Sequence, residues 1–169
     1  MDNKNLSKNM NFKTLEDFAT ELGTCLQQKG WYLVTAESCT GGWVAQAVTA
    51  IAGSSGWFDR GFVTYSNAAK QALLGVSPET LAKYGAVNEQ TVLEMVKGAL
   101  ARSQAQVGVA ISGIAGPSGG SPDKPVGTVW IAYAFPNKCY AQHYHFNGDR
   151  QSVREQAVRM ALQTLLQEL

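Results

Sequence analysis

The sequence predicts an α/β fold, a three-layer α/β/α arrangement with helices on both faces of a mixed β-sheet. Helical periods alternate with short apolar runs through the first two thirds of the chain, the pattern of strands joined by helical crossovers. Late in the chain Val126 to Phe135 and Cys139 to Phe146 alternate as strands, and only Pro136-Asn137-Lys138 separates them, short enough for an antiparallel hairpin. A chain of 169 residues without repeats or linkers fits one domain, residues 12–169, able to bury roughly two-thirds of its unfolded surface.

The elements follow in order. After a polar tail expected to be disordered (1–11), Phe12, Leu15, Phe18, Ala19, Leu22, Cys25 and Leu26 recur at helical spacing until Gly30 stops them. Trp31 to Ala36 reads as a buried strand, Gly41 to Ile51 as a second helix, Gly53 to Gly56 as a loop and Gly61 to Tyr65 as a strand. Ser66 caps a helix carrying Ala69, Ala72 and Leu73, which puts Lys70 about one turn into it. Ser77-Pro78 opens a short helix with proline at its first position, and Asn88 starts a longer one through Val92, Met95, Val96 and Leu100. Val107 to Ile111 is a short apolar strand, glycine and proline dominate Gly113 to Pro125, and after the hairpin a last helix runs from about Asp149 to Leu166.

Composition excludes several classes. Lys plus Arg number 14 against 13 Asp plus Glu, so a net charge of +1 gives no broad field for nucleic acid or an anionic membrane. Three cysteines without C-x-x-C spacing argue against a disulfide framework or a cysteine zinc site and fit a reducing cytoplasm. Only 16% of residues are charged and 45% are hydrophobic, which predicts that part of the surface is covered in a homo-oligomer. No apolar run is long enough to span a membrane.

The most informative segment is Thr35 to Gly42, where an apolar run ends and a helical pattern begins, so that Ser38 and Cys39 sit at a strand-to-helix turn. Gly41 and Gly42 permit close approach of a ligand to the backbone, and the unpartnered first amides of the helix point outward. Such a turn can hold a nucleophile and an oxyanion; equally, Ser38 or Thr40 can serve only as a helix cap. Ser38, Tyr65 and Ser112 all fall beyond strand carboxyl ends, where ligands collect in such sheets.

Ser112-Gly113-Ile114-Ala115-Gly116 opens a glycine-rich loop that lacks the P-loop ending; it is either a nest of amides for an anion or a plain loop. Arg150 follows the capping Asp149 in the first turn of the last helix, where the macrodipole disfavours cations, and Arg154 shares its face four residues on. A bound phosphate would account for both, as would simple solvation. His143 and His145 share a strand face but have no evident third metal ligand, and no other histidine exists for a Ser-His or Cys-His mechanism. The base for a serine nucleophile must then be another residue type, and a buried lysine is the natural substitute. Bringing a lysine from about 10.4 to near 7 disfavours its charged form by roughly 4 to 5 kcal/mol, through desolvation or neighbouring cations. Spacing alone neither selects Lys70 among the lysines nor decides between Ser38 and Cys39.

Six ordered segments carry a resemblance: Ala36 to Gly42, Phe62 to Lys70, Gly85-Ala86-Val87, Ser112 to Pro117, Lys124 to Val129 and Gly148-Asp149-Arg150. Together they resemble the CinA C-terminal domain family from about Leu15 to Leu166. The resemblance implies hydrolysis of the carboxamide of nicotinamide mononucleotide to nicotinate mononucleotide and ammonia, in pyridine-nucleotide recycling. It makes Ser38 the nucleophile, Lys70 its general base and Tyr65 a supporting hydroxyl, with no metal or other cofactor. Cys39, Thr40, Gly41 and Gly42 then lie against the substrate, and its phosphate suits the Ser112 to Gly116 loop with Arg150 and Arg154. The metal-dependent N-terminal domain of larger family members is not expected in a chain of this length. A competing class is a non-catalytic mononucleotide-binding module of a competence or damage response; direct DNA binding is disfavoured by the balanced charge.

Overall fold

The computed structural model describes residues 13–169, so the expected tail and Phe12 lie outside the described residues. The first helix, α1 (Leu15–Lys29), begins at Thr14, whose side chain and that of Asp17 form a reciprocal capping box. It ends at Gly30 in the left-handed region (φ 66°), where the Gly30 amide donates to Gln27 and the Trp31 amide to Leu26. Trp31 is therefore spent on closing α1, and the first strand, β1 (Leu33–Glu37), starts two residues later than the apolar run suggests.

Helix α2 (Trp43–Thr49) follows, then a single 3-10 turn over Ser54–Gly56 within the expected loop. Strand β2 (Phe58–Val63) starts and stops earlier than expected, because its register against β1 runs from Phe58 opposite Leu33 to Val63 opposite Glu37. Helices α3 (Asn67–Leu74), α4 (Pro78–Tyr84) and α5 (Glu89–Ala101) are each capped by the anticipated residue, Ser66, Ser77 and Asn88. Strand β3 (Val107–Gly113) and the hairpin of β4 (Thr128–Phe135) and β5 (Lys138–His145) complete the sheet, and α6 (Arg150–Glu168) starts from the Asp149 cap.

The sheet is mixed, in the order β2-β1-β3-β4-β5, with β2, β1 and β3 parallel and the hairpin antiparallel. From β1 the chain steps outward to β2 and then crosses back over β1 to β3. The carboxyl end of β1 is thus a topological switch point, where loops diverge and leave a crevice.

Two apolar clusters sandwich this sheet. Val107, Val109, Ile111, Val129, Ile131 and Tyr133 face α1, α2 and α6; the alternate positions, Ala110, Ala132 and Ala134, face α3, α4 and α5. Small residues on that second face let α5 approach closely, and a Cβ on Gly108 would lie 2.9 Å from Val96. Helix α5 is equally tight against α3, since a Cβ on Gly98 would fall 1.9 Å from the Leu74 carbonyl oxygen. Burying each core valine or leucine stabilises by about 1.5–3 kcal/mol against about 1 kcal/mol for a helix cap, so the two clusters rather than the caps hold the layers together.

Candidate active site

The crevice at the β1 switch point is shaped by Glu37, the last residue of β1. Helix α2 begins from Gly42, which has φ 98° and no side chain to cap with. The Glu37 carboxylate does the capping instead: Oε1 accepts from Thr40 Oγ1 (2.7 Å) and the Val44 amide (2.8 Å), and Oε2 from the Ala45 amide (3.0 Å). Burial pushes its pKa above the ordinary carboxylate value, and these N–H and O–H donors push back. An anion at a helix N-terminus also interacts favourably with the macrodipole. The reach from strand end to helix start folds Ser38 to Gly42 into a tight turn, closed by the Gly41 amide donating to the Ser38 carbonyl (3.0 Å).

Ser38 stands on this turn, 8% exposed, and the Lys70 Nζ lies 2.9 Å from its Oγ. Lys70 reaches it from the first full turn of α3, 1% exposed, and donates to the Thr64 carbonyl (2.8 Å). No carboxylate pairs with Lys70 among the described residues, and burial holds its pKa below the ordinary lysine value. A neutral Lys70 can give one N–H to Thr64 and still offer its lone pair to the Ser38 hydroxyl.

A cavity of about 250 Å³ opens over this pair, lined by Ser38, Cys39, Tyr65, Lys70, Ala86, Val87, Ser112, Gly113, Ala115 and Arg150. The amides of Gly41, Val44 and Ala45 are engaged, whereas those of Cys39 and Thr40 meet no protein acceptor among the described residues. The neighbouring Cys39 thiol is buried and its pKa is pushed up to about 12 by desolvation, with the Glu37 charge adding to the effect. It is protonated at neutral pH, which makes it a poor nucleophile beside Ser38. At the mouth, Arg150 donates to Tyr65 Oη (3.0 Å) and to the Gly116 carbonyl (2.8 Å), linking two loops to the start of α6.

A model of the CinA C-terminal domain matches residues 15–169. The chain belongs to the CinA C-terminal domain family. Within it, the chain is 56% identical over 160 residues to nicotinamide-nucleotide amidohydrolase PncC of Enterobacter agglomerans, covering 94% of this chain and 98% of that protein. The protein of the same name from Escherichia coli (strain K12) is 54% identical over 155 residues, covering 91% and 94%. Among solved structures, the CinA superfamily protein ECK1530/EC0983 of Escherichia coli superposes with a TM-score of 0.91 at 40% identity, covering 96% of this chain and 94% of that one.

Within this CinA domain the residues singled out from the sequence divide between two places. Ser38, Cys39, Tyr65, Lys70, Ser112, Gly113, Ala115 and Arg150 line the cavity. Thr40, Gly41, Gly42 and Arg154 instead line a second, shallow depression of about 370 Å³ with Trp43, Gln46 and Gln151. Ile114 lines neither: its amide donates to Thr128 and its carbonyl accepts from Gly127, fastening the loop to β4. Gly116 contributes its carbonyl to Arg150, and its φ of 83° together with Val126 2.5 Å from a would-be Cβ leaves room only for glycine. His143 packs against the Trp130 ring, and His145 Nε2 lies 3.2 Å from the Val126 carbonyl. Among the described residues no three His, Cys, Asp or Glu side chains form a cluster suited to a metal. Glu37, Ala86, Val87 and the Thr64 carbonyl fall in segments that carry the family resemblance, but sequence reasoning gave none of them a role in the site. A cap-less Gly42 with an acid five residues upstream is the signal for Glu37; nothing in the sequence marks Thr64.

Proposed function

We propose that this chain is an amidohydrolase acting on nicotinamide mononucleotide, releasing ammonia and nicotinate mononucleotide through a Ser38 acyl-enzyme, in pyridine-nucleotide recycling. The observation that carries the mechanism is the buried Lys70 amine, without a carboxylate partner among the described residues, within 2.9 Å of the Ser38 hydroxyl. The substrate reading is supported by the name of the Enterobacter and Escherichia relatives, nicotinamide-nucleotide amidohydrolase, at 56% and 54% identity.

The geometry supports the following steps. Neutral Lys70 takes the Ser38 proton and the Ser38 oxygen bonds to the carboxamide carbon, so negative charge moves to the carboxamide oxygen. The Cys39 and Thr40 amides are free to donate to it, each such donor being worth about 100- to 1,000-fold in rate. The C–N bond breaks as the Lys70 ammonium returns the proton to nitrogen, and ammonia leaves. Water then gives a proton to Lys70 and its oxygen attacks the ester; collapse returns the proton to Ser38 and frees the carboxylic acid, which ionises by giving its remaining proton to solvent. Tyr65 Oη accepts from Arg150, which leaves its own proton free to assist the leaving group. Ala86, Val87 and Ala115 offer an apolar wall to a pyridine ring, and Arg150 with the loop from Ser112 to Gly116 suits the phosphate. The low charged fraction supports the further reading of a homo-oligomer, and the free cysteines that of a cytoplasmic protein.

The test is ammonia release from nicotinamide mononucleotide in the presence of chelator. The expected result is turnover that disappears in Ser38→Ala. Tight binding of the nucleotide with no release over hours would instead make the chain a binding module.

A further inference from the structure

The helical face that Arg154 shares with Arg150 suggests a place beside the phosphate, yet all three of its guanidinium nitrogens are turned to protein. Nε donates to the Cys39 carbonyl (3.1 Å), Nη2 to the Thr40 carbonyl (3.3 Å) and Nη1 to Gln151 Oε1 (3.3 Å). The guanidinium also sits 5.4 Å above the Trp43 ring at the start of α2. No carboxylate pairs with it among the described residues. It lies outside the Ser38 cavity, behind the turn.

A peptide unit is a rigid plane with its C=O and N–H pointing opposite ways. The plane whose oxygen Arg154 holds, Cys39 C=O, carries the Thr40 N–H at its other end, an amide that meets no protein acceptor among the described residues. Gripping that oxygen therefore aims the Thr40 N–H, and the cation polarises the same peptide into a stronger donor. The adjacent plane is held the same way, with Thr40 C=O on Arg154 and the Gly41 N–H on the Ser38 carbonyl. Two carbonyl acceptors also explain a cation that the early turns of α6 disfavour electrostatically.

We propose that Arg154 is a positioning residue, which orients the Thr40 amide to receive the developing oxyanion, and is not a ligand of the substrate's phosphate. The proposal rests on the reading of Ser38 as an acyl-forming nucleophile. Its signature is a loss confined to the transition state.

Two readouts test it. Steady-state ammonia release is compared for nicotinamide mononucleotide and for its riboside, which lacks the phosphate. Separately, the rate at which a fluorophosphonate phosphonylates Ser38, with loss of fluoride, is followed by mass spectrometry. Arg154→Ala should lower kcat on the nucleotide and the phosphonylation rate by about 10- to 100-fold, with KM within about threefold and the nucleotide-to-riboside preference unchanged. Methylguanidine should restore part of the phosphonylation rate. Arg154→Lys keeps the charge but not the fork, so it should show an intermediate loss, and it decides the matter if the alanine variant does not fold. A tenfold rise in KM for the nucleotide alone, or a phosphonylation rate equal to wild type in either variant, overturns the proposal. Wild-type protein that is phosphonylated at Ser38 yet releases no ammonia would remove the substrate reading, and the phosphonylation rates would still decide the role of Arg154.

Discussion

Two helix N-termini flank Ser38, and each holds a buried ionisable side chain, but their electrostatics are opposite. At α2 the Glu37 carboxylate receives two amide donors and a hydroxyl, all within 3.0 Å, and its charge matches the positive end of the helix. At α3 the Lys70 amine sits in the first full turn with a carbonyl and a hydroxyl for company and no counter-charge among the described residues. The first region is satisfied and acts as a brace. The second is frustrated in its charged form, and that frustration makes the amine available as a base.

Removing the frustrated group is the harshest test of the contrast. Lys70→Met should lower amide hydrolysis by about four orders of magnitude or more, as loss of a base acting in concert with its nucleophile does. The variant should fold, because an unbranched apolar side chain suits a site that is 1% exposed. Ammonia assays together with circular dichroism check both halves.

Disturbing the brace should be felt in stability. Glu37→Gln places an amide NH2 against at least one of the donors from Thr40, Val44 and Ala45, leaving that donor unpaired at a cost of about 1–3 kcal/mol. Urea unfolding would read the loss, and a variant as stable as wild type would mean that Glu37 does not hold the turn.

The frustration also has a pH signature. Burial lowers the folded-state pKa of Lys70 below its unfolded value, so between the two the unfolded chain binds more protons and this residue's contribution to stability improves as pH rises. Lys70→Met should therefore be more stable than wild type at neutral pH, by a margin that narrows towards the ordinary lysine pKa. For the same reason kcat/KM should climb with pH as the free enzyme's Lys70 loses its proton. A stability gap that does not vary with pH would break the argument.

The smallest effect is expected at Cys39. A thiol held protonated up to about pH 12 takes no part at neutral pH, so Cys39→Ala should keep turnover within about threefold, and iodoacetamide should not inactivate the wild type. Activity lost to either treatment would move the nucleophile from the hydroxyl to the sulfur.

Much of the fold was legible because its punctuation is local. Ser66, Ser77-Pro78, Asn88 and Asp149 announce helices through a side chain that accepts from the amide three residues on, and Gly30 ends one through its own backbone angle. Strand limits were less so: β2 lies at the sheet edge with Asp59 and Arg60 in place of an alternating pattern, and only its register with β1 sets its ends. In the candidate site, the turn and its chemistry-bearing residues could be named, but spacing singled out neither the partner of Ser38, which only the family resemblance named as Lys70, nor the direction of Arg154. Those depend on contacts across 32 and 115 residues of sequence, which a periodic pattern does not encode. Arg150 and Arg154 share a helix face, and spacing could not foresee that one guanidinium meets a cavity while the other meets the back of a turn.

The bare backbone of Gly98 reaches further than its position suggests. It seats α5 directly on the Leu74 carbonyl at the end of the helix that carries Lys70, so any side chain there would lever that helix off its bed. The spacing between amine and hydroxyl is in this sense gauged from the rear of the molecule, by a residue that touches neither. Tuning the reactivity of such a pair need not involve the pocket at all; thickening or thinning that seam by one carbon would alter the proton's path.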